Sequence, residues 1–304
     1  MNKNLKFNSK TFVFLALLTM IMPVAFAGWF DFLDGGITGK VATGTHNVTL
    51  TTGNSGPTVT AVYSAQSTWD LTPGPTATTP VTIYFEADDP NGNFDLNDTT
   101  SEISLNLSTE GVRTASPCTR VANLSATKSN YTCVVNMKYY DVTGNWQINV
   151  SISDKYSVPA TGYNTTAHAY INSNLNIQIV QPATLSWTSV TSGNRNVTAQ
   201  APINISNVGN QNVANLSVTA YDLSGAGYIN AANFTASNQS LNVCAGNVLA
   251  NNSAVNITGA NIPRTTYPSE PLNNQSIYYC IPTVPNLAAG SYTQIQSWVT
   301  TAIG

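Results

Sequence analysis

The stretch from Ala201 to Leu223, APINISNVGNQNVANLSVTAYDL, alternates apolar and polar residues. On an extended chain residues i and i+2 share a face. Asn204 and Ser206 therefore oppose Ile205, and Asn215 and Ser217 oppose Leu216. The pattern predicts half-buried strands with an apolar inner face and a polar outer face. NVGN between them reads as a turn in which Gly209 takes positive φ, giving a β-hairpin or a strand–loop–strand unit. Similar runs occupy 58–64, 81–87, 101–108, 131–140, 145–154 and 165–173, separated by the turn clusters TPGPTATTP, DDPNGNFDLND and SVPATGYN. The second half continues with NVTAQAPINISN, SLNVC, AVNITGANI, SIYYCIPTV and SYTQIQSWVTT. Only Ala231–Thr235 hints at a helical turn. Short strands at this spacing predict an all-β protein of two tandem sandwich domains, 57–173 and 174–304. LNIQIVQPATLSW (175–187) is the expected crossing, with Pro182 as its boundary signal.

The N-terminus departs from this pattern. Lys3, Lys6 and Lys10 precede an uncharged apolar run, Thr11–Val24, and the small-x-small site Ala25–Ala27. This is the layout of a secretory signal peptide over 1–27, cleaved after Ala27. The uncharged stretch from Thr11 to Phe30 is also about long enough to stay as a membrane anchor. Residues 28–56 then form a leader that opens on Gly28, Trp29, Phe30, Phe32 and Leu33. An exposed apolar tail of this kind offers strand addition to a neighbouring copy.

Export changes how the asparagines are read. Fifteen Asn-x-Ser/Thr acceptors occur: Asn47, Asn97, Asn106, Asn123, Asn130, Asn149, Asn164, Asn196, Asn204, Asn215, Asn233, Asn238, Asn251, Asn256 and Asn274. Random placement of 37 Asn and 67 Ser plus Thr in 304 residues predicts about eight. Strand alternation in an Asn/Ser/Thr-rich chain produces some of these triplets unaided. The excess fits an N-glycosylated exported protein, for which an archaeal source is suitable.

Charged residues make up 8% of the chain, against roughly 25% in an average domain. Without the three signal lysines, 11 − 3 = 8 Lys+Arg face 14 Asp+Glu, a net charge of −6. That balance argues against nucleic acid and against electrostatic binding to anionic lipid. Membrane contact is expected only through an uncleaved N-terminal segment.

Four cysteines, an even number in an exported chain, read as disulfides. Three pairings are possible; Cys118–Cys133 with Cys244–Cys280 keeps each bridge inside one domain. The absence of C-x-x-C, with His46 and His168 distant in sequence, argues against zinc.

PINISNVGNQNVANLSVTAYDL and LAAGSYTQIQSWV (287–299) resemble CARDB-like and related Ig-like modules of exported archaeal and bacterial proteins. GNWQINVSISD (144–154) resembles the W-x-x-x-V strand of PKD- and cadherin-like sandwiches. Tyr131-x-Cys133 and Tyr278-x-Cys280 are similar to the Y-x-C of immunoglobulin domains, although Trp146 follows the first cysteine pair instead of lying between its members. The resemblance implies Ig-like sandwiches serving as a stalk, coat or recognition module at the cell surface.

One carboxylate cluster stands out. Asp89, Asn91, Asn93, Asp95 and Asn97 recur at every second residue of DDPNGNFDLND, with Asp88 and Asp98 at its ends. Oxygen ligands at alternate positions suit Ca²⁺, though Gly92 and the missing twelfth-position Glu depart from an EF-hand. A polar turn is the competing reading, and the calcium set is Asp89, Asn91, Asn93 and Asp95. No G-x-S-x-G, H-E-x-x-H or P-loop is present, and Glu86, Glu102 and Glu110 lie in contexts typical of surface positions. The expected role is non-enzymatic, structural or adhesive, with other envelope proteins or a second copy as partners. The alternative is a secreted carbohydrate-binding or calcium-dependent adhesion module. It rests on the calcium loop and on the aromatics of YNTTAHAY and MKYYD.

Overall fold

The computed structural model describes residues 48–160, 167–240, 243–268 and 271–304. The signal peptide, the leader through Asn47 with His46, and Asn164 lie outside the described residues. The described residues are all-β, and their helical content is one 3₁₀ turn, Ala231–Asn233. Residues 53–304 form one compact unit containing two separate hydrophobic cores.

Nine strands surround the first core: β1 Thr58–Ser64, β2 Thr68–Trp69, β3 Thr78–Asp88, β4 Leu96–Asn106, β5 Arg113–Ala115, β6 Thr119–Asn123, β7 Lys128–Lys138, β8 Gly144–Asp154 and β9 His168–Ile171. They form two sheets, ordered β1-β3-β7-β6 and β2-β9-β8-β4-β5. Strict alternation makes the sandwich. In β3, Val81, Ile83, Phe85 and Ala87 are all fully buried, while Thr82, Tyr84 and Glu86 face outward. In β7 the inner set is Tyr131, Cys133, Val135 and Met137. Trp146 and Ile148 of β8 and Ile103 and Leu105 of β4 fill the space from the opposite sheet. Phe85 and Tyr131 stack at 4.8 Å within this core. The Cys118–Cys133 disulfide lies where the chain passes from β5 in one sheet to β6 in the other.

The second core is built by β10 Ile177–Gln181, β11 Arg195–Thr198, β12 Ile203–Asn207, β13 Asn215–Ala220, β14 Leu223–Gly225, β15 Tyr228–Ile229, β16 Thr235–Ser237, β17 Asn247–Val248, β18 Ser253–Ile257, β19 Asn274–Thr283, β20 Tyr292–Gln294 and β21 Val299–Ile303. The largest sheet runs β10-β12-β19-β16-β17, with β11 also on β19; β18-β13-β21 and β15-β14-β20 are smaller. Phe234 packs between Trp187 and Trp298, each ring 5.2 Å away. Cys244–Cys280 ties the loop before β17 to β19.

Two expectations change. β12 and β13 belong to different sheets, so the 201–223 stretch is a strand–loop–strand unit and not a hairpin. Gly209 does not take the left-handed conformation. It is needed because the backbone of Asn174 comes so close that a Cβ would collide with the Asn174 carbonyl oxygen. The outward faces of β12 and β13 are also less open than alternation alone implies, since Ser206 and Ser217 are buried.

The two cores meet at a polar junction. Tyr139, Tyr140 and Val208 form a small third cluster, with Leu272 packed against it. The Arg113 guanidinium donates to Asp141 Oδ1 through Nε at 3.0 Å and Nη2 at 2.5 Å. It also lies 3.9 Å from the Tyr267 ring centroid. Arg264 Nη2 donates to Glu110 Oε1 at 2.5 Å, and Tyr139 Oη to Thr265 Oγ1 at 3.2 Å. Asn210 Nδ2 bridges the Asp141 and Asn172 carbonyls at 3.0 and 2.9 Å. Residues far apart in sequence thus share one buried network, in which unpaired members would be costly.

Candidate metal centre

The β3–β4 connection holds the acidic loop. Gly92 adopts φ +115°, a conformation that side chains rarely allow, and this folds the loop back on itself. Asp89 N donates to Thr127 O at 3.0 Å, and Asn93 N donates to Ala126 O at 2.9 Å. Asn93 Nδ2 adds a bond to Ser125 O at 2.6 Å. The β4–β8 ladder then sets Leu96 opposite Asp154, bringing the end of β8 to the loop. As a result, carboxylate oxygens of Asp89, Asp95 and Asp154 all lie within 4.8 Å of one another. Asp89 and Asp154 are fully buried and Asp95 half-buried.

Their hydrogen bonding is incomplete. Asp89 Oδ1 accepts from Asn91 N at 2.8 Å, but Asp89 Oδ2, Asp95 Oδ2 and Asn93 Oδ1 are buried with no donor. Asn93 is only 3% exposed. Burial raises the Asp89 pKa above the ordinary carboxylate value; the Asn91 amide partly offsets this, and the charges of Asp95, Asp154 and Asp88 raise it further. Asp154 behaves differently. Burial would raise its pKa, but hydrogen bonds from Asn54, Val158 and Tyr156 outweigh that and hold the carboxyl below its ordinary value.

The other residues of the loop have separate tasks. Asn91 turns to the lead-in segment: its Oδ1 accepts from Ser55 N at 2.7 Å and its Nδ2 donates to Gly53 O at 3.2 Å. Asn97 Oδ1 accepts from Thr99 Oγ1 at 2.7 Å. Asp98 pairs with Arg120 at 2.5 Å and accepts from Tyr131 Oη at 2.7 Å. Of the sequence-derived calcium set, the structure gathers Asp89 and Asp95, leaves Asn93 Oδ1 buried without a donor in the same loop, directs Asn91 elsewhere, and contributes Asp154. Spacing could not reveal Asp154, because it joins the loop only through strand register. An all-oxygen set with three carboxylates suits a hard divalent cation.

The remaining candidates do not converge. Glu86 pairs with Lys128 at 3.4 Å, Glu110 lies in the junction, and His168 is exposed on β9. Of the MKYYD aromatics, Tyr139 and Tyr140 are buried at the junction. Tyr63 and Tyr84 stack at 5.4 Å across β1 and β3, and Tyr63 is 44% exposed. Beside Cys244–Cys280 lies a cavity of about 210 Å³, bordered by Gln200, Thr235, Ser240 and Tyr278. The thirteen acceptor asparagines among the described residues are all partly or fully exposed. No helix among the described residues is long and apolar enough to cross a membrane. No protein-family model, curated protein or solved structure matches this chain.

Proposed function

We propose that this is an exported, non-enzymatic component of a cell envelope, with a structural or adhesive role and several N-linked glycans. In this reading the chain carries two tandem Ig-like sandwiches behind a signal peptide. CARDB- and PKD-like resemblance and an archaeal source belong to the same reading. The observation that carries it is the junction, where the Arg264–Glu110 ion pair, the Arg113 guanidinium over Tyr267 and the Asn210 bond to the Asp141 carbonyl couple two disulfide-bridged cores. A stalk or coat subunit must pass load from one part to the next without bending, and such a joint suits that task. The disulfides fit an oxidising compartment. The reachable acceptor asparagines and the sparsely charged surface fit glycosylation.

Glycopeptide mass spectrometry on native protein, comparing envelope with culture medium, tests this reading. Chymotrypsin is the suitable protease, since 11 − 3 = 8 Lys and Arg after the signal leave trypsin few cuts. Abundant, multiply glycosylated protein in the envelope, beginning at Gly28 or with its signal intact, is expected. Bare, scarce protein in the medium would overturn the reading. The stacked, partly exposed Tyr63–Tyr84 pair favours a second reading, a carbohydrate-binding module. Glycan-array binding lost on Tyr63→Ala would support it.

A further inference from the structure

We propose that Asp89, Asp95 and Asp154, with Asn93, bind one calcium ion that fastens the β3–β4 loop to the end of β8. Three carboxylates from two segments converge within 4.8 Å, and like charges at this distance repel unless a cation or a proton intervenes. The second observation is independent of charge. Asp89 is fully buried with Oδ2 lacking a donor, and Asn93 is 3% exposed with Oδ1 equally unserved. Buried oxygens left without partners are rare and costly, and a bound cation satisfies several at once. Asp154 still has acceptor capacity on Oδ2, which receives one bond, from Asn54 Nδ2 at 2.7 Å.

Calcium is favoured over other metals by chemistry. The donors are all oxygen, which excludes a preference for zinc or copper. Calcium accepts six to eight oxygens in flexible geometry, whereas magnesium demands a near-ideal octahedron and keeps its waters. Loop carbonyls and solvent would complete the shell.

The arrangement gives the ion a definite consequence. Asp154 holds Asn54 and the turn through Tyr156 and Val158. Asn91, within the same loop, holds Gly53 and Ser55. An ion at Asp89, Asp95 and Asp154 therefore orders the 53–56 lead-in and the 154–158 turn together.

The test uses purified full-length protein, stripped with EDTA and titrated with calcium alone by isothermal calorimetry and equilibrium dialysis with ⁴⁵Ca. One ion per chain is expected, with a Kd in the range of about 10⁻⁴ to 10⁻³ M found for extracellular modules, or tighter. Asp95→Asn is expected to weaken binding at least tenfold, and Asn93→Ala severalfold. Asp222→Asn, at the second core, is expected to leave it unchanged. Calcium should slow proteolysis at 53–56 and 154–158, and an equal concentration of magnesium should not. No saturable calcium binding up to 10 mM by a folded wild-type protein would overturn the proposal. So would an Asp95→Asn variant that binds calcium as well as wild type. Stabilisation by Asp89→Asn in a wild-type background that binds no calcium would assign the site instead to a shared proton.

Discussion

Ser206 Oγ on β12 donates to Oδ1 of Asn274 on β19. Two pairs along the same ladder the relation is reversed, with Ser276 Oγ donating to Asn204 Oδ1 at 2.6 Å. Two Asn-x-Ser triplets thus lock each other across a pair of strands, each serine serving the other's asparagine. Ser206→Ala leaves Asn274 Oδ1 without its donor and is expected to destabilise the protein by about 1 kcal/mol, measured from urea unfolding. Ser276→Ala is expected to do the same at Asn204, with the double variant less than additive because the two bonds share one ladder.

Arg113→Ala is expected to be among the most damaging single changes. It strands the Asp141 carboxylate, whose side chain is 0% exposed, and removes the cation over Tyr267. Breaking one partner of such a buried pair costs about 3–5 kcal/mol. Arg264→Ala removes a partner that is 19% exposed and should cost less. Urea midpoints for the two variants, ranked in that order, check the claim.

The disulfides close loops of different size, with sequence separations of 15 and 36. On the chain-entropy account, replacing Cys118 and Cys133 by serine costs about 3 kcal/mol, and replacing Cys244 and Cys280 about 4 kcal/mol. Thermal unfolding of each double-serine variant under identical buffer tests the ordering.

Alkaline pH should weaken the fold. Burial raises the Tyr279 phenol to about 12. Burial, followed by the hydrogen bond to Asp98, pushes Tyr131 up as well. A phenol with a folded pKa above its unfolded value of about 10 binds its proton more tightly when folded. The resulting stability is complete below pH 10 and is lost as pH rises through the folded values. Urea midpoints should therefore hold between pH 8 and 9.5 and fall from pH 10 to 12. Tyr279→Phe should flatten part of that fall.

Much of this architecture could be read from the chain. The run at 58–64 is β1 itself, and those at 81–87 and 145–154 lie inside β3 and β8, because each has a buried face that alternation records directly. β5 and β6 carry no such record, since they are short and β6 is almost wholly exposed. Residues 291–301 looked like one strand but break at Gln294, so that Trp298 can turn in toward Phe234. In the metal centre, Asp89, Asn93 and Asp95 were visible as local spacing. Asp154 was not, because a ladder pairing between residues 96 and 154 leaves no mark on either sequence.

The placement of charge has one further consequence. The chain is poor in ionic groups, and Arg113, Asp141 and Glu110 are set where solvent scarcely reaches. At 1 M salt the Debye length is about 3 Å, and exposed ion pairs are largely neutralised by counterions. Pairs shielded inside the joint escape that screening, while the amides and hydroxyls outside carry no charge to be screened. The same molecule can therefore keep its internal cohesion through wide swings in salt concentration.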